Sequence, residues 1–308
     1  VLADLDGVVY AGDAAIPHAV ESLTASRRDR PLAYITNNAS RRDSVVAGHL
    51  TELGLATEPH EVVTSPQAAV RLLRDKVPSG ATILVVGGDG LVFELDKAGY
   101  SVTRSADDRP AAVVQGFAPE VGWAQLAEAA YALALPEEEG GIPWIATNTD
   151  WTIPQARGIA PGNGTLVSAV HTAVGRLATV AGKPERPIFD EAVARFGARH
   201  PLFIGDRLDT DIAGAQAAGI NSVLVLTGIG LGAARGTAVL DGRLVLCTGQ
   251  GVVVVHQPDS PFAAKAHICP DMALQIMAGT SAVPVLLPER LASALPAALP
   301  ADHHGIGR

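Results

Sequence analysis

The sequence predicts an α/β fold built on a parallel sheet, and three observations predict it. Short apolar runs alternate with alanine-rich or amphipathic stretches of helical length from residue 1 to about 230. The links between them are short, so each strand is followed by a helix that carries the chain back to the same end of the sheet. Several apolar runs end in glycine or a polar cluster, as at Asp4-Leu5-Asp6-Gly7, Gly87-Gly88 and Gly205-Asp206, where a strand opens into a turn.

In chain order, residues 1–9 read as a buried strand, and Pro17 to Ser26 as a helix with proline in its first turn. A strand over 32–36 and a helix over 41–53 follow. The apolar run 81–86 ends at Gly87-Gly88, and 111–115 ends at Gly116. Helices are predicted over 123–135, 164–174, 188–196 and 212–218, and strands over 144–147, 202–204 and 222–226.

The 308 residues suffice for two domains or for one with a large insert. With 48% hydrophobic but only 4% aromatic residues, the core must be mostly Ala, Val and Leu. A net charge of -9 argues against nucleic acid or an anionic membrane as the main partner. An acidic protein that binds an anionic substrate needs local positive charge, from a metal ion or from helix N-termini. The longest apolar runs fall short of a membrane span. Two cysteines make no disulfide framework. No signal peptide is legible, and a cytoplasmic enzyme is the expectation. The chain begins at Val1 rather than Met, which leaves an upstream segment open.

After about Gly230 the character of the text changes. Cys247, Cys269, Met272 and Met277, all of their kinds, lie beyond it. Asp241-Gly242 and Gln250-Gly251 separate apolar runs, which suggests small hairpins. Residues 231–308 therefore read as a separate C-terminal segment. Cys247, His256, His267 and Cys269 have no CxxC or HxxxH spacing, which argues against zinc.

Four clusters stand at or near predicted strand ends. In Asp4-Leu5-Asp6, residues i and i+2 share a face, so two carboxylates enter one pocket. Crowded like charges repel unless a cation or a shared proton compensates, and Mg²⁺ would also attract a phosphate. A solvated Asp-Gly turn is the alternative. Thr36-Asn37-Asn38 follows the second strand and is either a phosphate-holding turn or an N-cap. Lys183, in Gly182-Lys183-Pro184 before a helix, is either a cation of the site or an ordinary solvated lysine. Gly205-Asp206 through Asp209-Thr210-Asp211 is an oxygen-rich metal loop or a solvated acidic loop. In a doubly wound sheet ligands bind beyond the carboxyl ends of the strands, and all four clusters are expected at that rim.

These clusters, in this order, resemble the haloacid dehalogenase (HAD) superfamily. Asp4-Leu-Asp-Gly-Val-Val-Tyr10, Tyr34-Ile-Thr-Asn-Asn-Ala-Ser40, Ala146-Thr-Asn-Thr-Asp150, Gly182-Lys-Pro184 and Gly205-Asp206 to Thr210-Asp211-Ile212 are similar to its subfamily IIA, the NagD-like, 4-nitrophenylphosphatase type. The resemblance covers residues 1 to about 230 and implies a doubly wound, Rossmann-like core with an inserted α/β cap. It implies that Asp4 is the nucleophile, Asp6 the acid/base, and Thr36 and Asn37, with Asn38 beside them, the phosphate-binding turn. Lys183 becomes the cation that offsets charge on nucleophile and phosphoryl group. Asp206 becomes the Mg²⁺ ligand beside Asp4 and the Asp6 carbonyl, and Asp211 a supporting acid. The second Asp of the first motif favours phosphoryl transfer over dehalogenation.

Only about 30 residues separate Asp6 from Thr36, enough for one helix and a strand, whereas about 145 separate Asn38 from Lys183. The cap is therefore expected over 66–178, and the core over 1–65 and 179–230. Asn148 and Asp150 either face the substrate or form an ordinary Asx turn. Pro161-Gly162-Asn163-Gly164 reads as a helix start. The expected activity is Mg²⁺-dependent hydrolysis of a small phosphorylated metabolite through an aspartyl phosphate. Glycerol 3-phosphate is the first expectation, with phosphoglycolate or a mononucleotide behind it. The rivals are a phosphomutase and a non-catalytic phosphate-binding protein, and a homo-oligomer formed through the cap is a further expectation.

Overall fold

A computed structural model describes residues 1–28, 30–155, 157–225 and 227, together with the backbone of short strands at 238–239, 243–248, 251–256 and 267–268. Two larger sheets organise these residues.

Among the five parallel strands of the first sheet, Leu2–Ala3 lies at the centre. Parallel strands Ala33–Thr36 and Val62–Thr64 extend it on one side, and Leu202–Gly205 and Asn221–Leu224 on the other. The chain thus builds outward in one direction, leaves, and returns to build in the other. Such a reversal opens a crevice at the carboxyl ends of the two central strands. Side chains alternate between two apolar layers: Leu2, Ala33 and Ile35 enter one, and Ala3 and Tyr34 the other. Helix Arg186–Phe196 covers the first layer, where Phe189 meets Phe203 edge to face at 5.2 Å. Both rings are fully buried, and truncating either to Ala would cost about 3–5 kcal/mol.

The second sheet is parallel throughout, in the order Thr179–Val180, Trp144–Ala146, Ala112–Gln115, Thr82–Val86 and Ser101–Thr103. Helices Trp123–Ala132 and Asn163–Val174 cover the face holding Trp144. Helix Ser65–Arg74 runs without a break between the sheets, with a side chain from Thr64 accepting from the Gln67 N–H and Gln67 answering toward the Thr64 N–H. Its residues Ala68, Ala69 and Leu73 are buried in the layer that also holds Phe189.

The α/β class is borne out, and most predicted elements sit within two residues of their expected limits. The first strand is shorter than expected. The amides of Val8, Val9 and Tyr10 all converge on the Leu5 carbonyl, so a turn rather than a strand buries those apolar side chains. The hairpin Thr152–Gln155 with Gly158–Pro161 and the helix Asp89–Lys97 lie outside the sequence-based assignment. Beyond residue 230 the chain adds strands Arg243–Thr248 and Gly251–His256, antiparallel, to the free side of Asn221–Leu224. Their antiparallel pairing is the hairpin suggested at Gln250-Gly251. Cys269 lies outside the described residues, as do the side chains of Cys247, His256 and His267. Among the described residues no helix is long and apolar enough to cross a membrane.

Candidate active site

Register places the acids. Ala3 pairs with Ile204, and the Asp4 N–H donates to the Ile204 carbonyl at 2.8 Å. Asp4 and Asp206 therefore leave adjacent strand ends together. Between Asp4 and Tyr10 the chain turns at Gly7, whose φ of 83° favours glycine. A Cβ there would also lie 2.5 Å from Asp206 Oδ2, so Gly7 lets the two loops close on each other. Its N–H donates to the Tyr10 carbonyl at 2.8 Å, and its carbonyl accepts from Thr227 Oγ1 at 2.6 Å.

Lys183 does not come from the rim of the first sheet, where all four clusters were expected. It follows strand Thr179–Val180, at the edge of the second sheet, through an Ala181 N–H bonded to the Ala146 carbonyl. The ammonium reaches across to Asp4 Oδ1 at 2.6 Å and Asp211 Oδ1 at 2.7 Å, and is almost fully buried. Burial alone would lower its pKa, but Asp211 and Asp4 hold it well above the ordinary lysine value, so it stays charged. Oδ2 of Asp211 accepts the N–H groups of Asp206 and Arg207 at 3.0 and 3.1 Å. Asp211 thus shapes the Asp206 loop with one oxygen and holds the lysine with the other, in keeping with a supporting role.

Burial pushes the Asp4 carboxyl well above its usual range, Asp211 and Asp206 push it further, and Lys183 opposes them. Asp6, two residues beyond Asp4, is exposed. Partial loss of water raises its carboxyl too, against Lys183 and Arg41. A carboxyl poised upward is suited to giving up a proton in one step and taking one back in the next.

Thr36 is buried at the end of its strand, and its Oγ1 accepts from the Asn38 N–H at 3.1 Å. Asn38 turns its Oδ1 to the Ser40 N–H at 3.0 Å, which organises the following turn. The Asn37 carboxamide faces Lys183 and Asp150: Nδ2 donates to Asp150 Oδ1 and to the Lys183 carbonyl, each at 3.0 Å, and Oδ1 accepts from the Lys183 N–H at 2.8 Å. Asn148 donates to the Asn37 carbonyl at 2.8 Å and accepts the Asp150 N–H at 3.1 Å, the bond of an Asx turn. Burial raises the Asp150 carboxyl, while Asn37, Lys183 and Arg207 oppose the rise. Gly162 does cap helix Asn163–Val174. The same segment buttresses the Asn148 turn, because Asn163 Nδ2 donates to the Asn148 carbonyl at 2.7 Å and Gly162 and Gly164 pack on the backbone of Asp150 and Thr149.

Three residues of the site escaped the reading of the sequence. Arg41 and Arg207 bring positive charge to Asp6 and Asp150, with Arg207 also paired to Asp209 at 2.6 Å. Arg41 stands three residues beyond Asn38 and Arg207 directly after Asp206, so proximity to the motifs was the available signal. Thr227 carried none, since only the fold brings it to Gly7.

Carboxylate oxygens of Asp4, Asp206 and Asp211 lie within 4.8 Å of one another. Lys183 pairs with two of these acids, Asp4 and Asp211. The cluster is an all-oxygen donor set, the kind that fits a hard divalent cation. Asp4 and Asp206 would hold it, while Asp211 is committed to Lys183 and the loop amides.

The fold agrees with what comparison finds. The family model for haloacid dehalogenase-like hydrolases matches residues 1–101, and a HAD-hydrolase-like model matches 180–245. The D-glycerol 3-phosphate phosphatase of Mycobacterium tuberculosis is 46% identical over 229 residues, which is 74% of this chain and 63% of that protein. The acid sugar phosphatase of Staphylococcus haemolyticus is 33% identical over 74% of this chain and 85% of its own length. Among solved structures, the glycerol phosphate phosphatase of M. tuberculosis in complex with magnesium superposes with a TM-score of 0.74 at 36% identity, covering 95% of this chain and 94% of that one. NagD from E. coli gives 0.65 at 31% identity, over 74% and 87%. The chain belongs to the haloacid dehalogenase-like hydrolases. Within that family it falls with the NagD and 4-nitrophenylphosphatase group.

Proposed function

We propose that this chain is a Mg²⁺-dependent phosphatase of small phosphate monoesters, with glycerol 3-phosphate its first candidate substrate. The observation that carries the reading is the buried Lys183 ammonium held between Asp4 and Asp211, with Asp206 in the same cluster of acids and Asp6 exposed two residues beyond Asp4. Phosphatases named for glycerol phosphate among its relatives support the substrate class.

Asp4 attacks phosphorus, forming an oxygen–phosphorus bond as the ester oxygen leaves. Asp6 gives that oxygen its proton. Water then attacks the aspartyl phosphate, Asp6 takes the water's proton, and Asp4 is released with inorganic phosphate. Lys183 stays protonated throughout and offsets charge on Asp4 and the phosphoryl oxygens. The divalent cation, when bound, adds to that charge compensation and orients the phosphoryl group.

The test is phosphate release from D-glycerol 3-phosphate, phosphoglycolate, a mononucleotide and 4-nitrophenyl phosphate, with Mg²⁺ and with chelator. Metal-dependent release with the highest kcat/KM on glycerol 3-phosphate is expected. Absence of release from every ester would overturn the reading.

A further inference from the structure

We infer that the Asn37 side chain is a positioning residue for Lys183, rather than a ligand of the phosphoryl group. The inference rests on the phosphatase reading only for its kinetic consequence. The resemblance to the family places Asn37 in the phosphate-binding turn, but each polar atom of the carboxamide already has protein partners. Its Oδ1 accepts the Lys183 N–H at 2.8 Å, and its Nδ2 donates to the Lys183 carbonyl and to Asp150 Oδ1, each at 3.0 Å. An amide group has only two N–H bonds to give, and both are spent.

The two bonds to Lys183 grip its backbone on both sides of Cα, as a neighbouring strand would. They are made by a residue at the rim of the first sheet, whereas Lys183 arrives from the edge of the second. Asn37 therefore joins the strand end that supplies the lysine to the strand ends that supply the acids. Its own backbone is fixed in turn, because the Asn37 carbonyl accepts from Ser65 Oγ and from Asn148 Nδ2, each at 2.8 Å. The glycine before the lysine follows from the same contact: a Cβ at Gly182 would lie 2.5 Å from Asn37 Oδ1 and 2.6 Å from the Thr147 carbonyl. Without this grip Lys183 would keep its charge but lose its fixed approach to Asp4. A displacement of about 1 Å can cost on the order of a hundredfold in rate.

A double-mutant cycle on kcat separates the roles, using Asn37→Ala, Lys183→Ala and the double variant with Mg²⁺ and D-glycerol 3-phosphate. Asn37→Ala should lower kcat by roughly ten- to a hundredfold with KM changed less than threefold. In the Lys183→Ala background the same change should cost less than about threefold, because the group it positions is gone. Independent full losses, or an Asn37→Ala variant that weakens inorganic phosphate binding tenfold while sparing kcat, would overturn the inference. Hydrogen exchange at the Lys183 amide reads the geometry without turnover. It should be slow in the wild type, and at least about tenfold faster in Asn37→Ala. Fast exchange in the wild type would also overturn the inference, even if Asn37→Ala did not fold. An inactive wild type would defeat the phosphatase reading alone and leave the exchange measurement to decide the role of Asn37.

Discussion

Lys183 Nζ lies 2.6 Å from Oδ1 of Asp4, although the two residues come from different sheets. The pairing sets the nucleophile: the ammonium faces one carboxylate oxygen, and burial keeps water from competing. Asp4→Asn keeps the shape and removes the nucleophile. The variant should fold, and its turnover should fall below about a hundredth of wild type, since loss of an attacking group costs several powers of ten. Steady-state phosphate release, corrected for the folded fraction, measures it.

Asp6 and Asp206 should separate by metal affinity. Asp6→Asn removes proton transfer and should slow turnover by roughly 10²–10⁴. It should keep Mg²⁺ affinity better than Asp206→Asn, because the backbone carbonyl of residue 6 survives the change. Calorimetric titration decides the point, and equal losses in the two variants would contradict these roles.

Stability should depend on pH in a direction set by the raised acids. Burial holds the carboxyls of Asp4, Asp6, Asp150 and Glu94 above their ordinary values in the metal-free protein. Between the ordinary carboxylate range and those raised values, the folded state binds protons that the unfolded chain has released. The unfolding free energy therefore falls as pH rises through that window. Mg²⁺ favours the ionised acids, so its stabilisation should grow with pH, reaching about 2.7 kcal/mol at a hundredfold excess over Kd. Thermal melts of metal-free and Mg²⁺-loaded protein across that window test the sign.

The end of the chain should matter for stability more than for chemistry. A chain ending near residue 230 keeps the motif acids, Lys183 and Thr227, but strips strand Arg243–Thr248 from Asn221–Leu224. Its Tm should fall while kcat per folded molecule holds within about threefold. Thr227→Val should do the reverse: it unpins the Gly7 carbonyl and should lower kcat several-fold, with little change in Tm. A folded truncation that has lost all turnover would place a needed group beyond residue 230. His256, His267 and Asp271 would then be the first to test, and Asp271 lies outside the described residues.

The sequence was legible where chemistry and period coincide. Asp4, Asp6, Lys183, Asp206 and Asp211 each stand within a few residues of an apolar strand, so motif and element support one another. Ser65–Arg74 was missed although its signals were in the text: the Thr64 to Gln67 capping pattern, and an amphipathic period that buries Ala69, Val70 and Leu73 and exposes Arg71 and Arg74. The strand that delivers Lys183 was not legible, because Thr179–Val180 is two residues long and only its pairing with Trp144–Ala146 gives it away. Asn37 looked like a phosphate ligand because residue type and spacing say nothing about which partners have already taken its hydrogen bonds. Thr227 shows the same limit, as no local pattern links it to Gly7.

The central claim is that Asp4 carries the phosphoryl group between its two transfers. Mass spectrometry of protein acid-quenched within milliseconds of mixing with D-glycerol 3-phosphate and Mg²⁺ tests it directly. One phosphoryl group is expected on the peptide that contains Asp4, formed and lost at rates no slower than kcat and absent in Asp4→Asn. Phosphate release by the wild type with the phosphoryl group on another residue, or by Asp4→Asn at an undiminished rate, would contradict it.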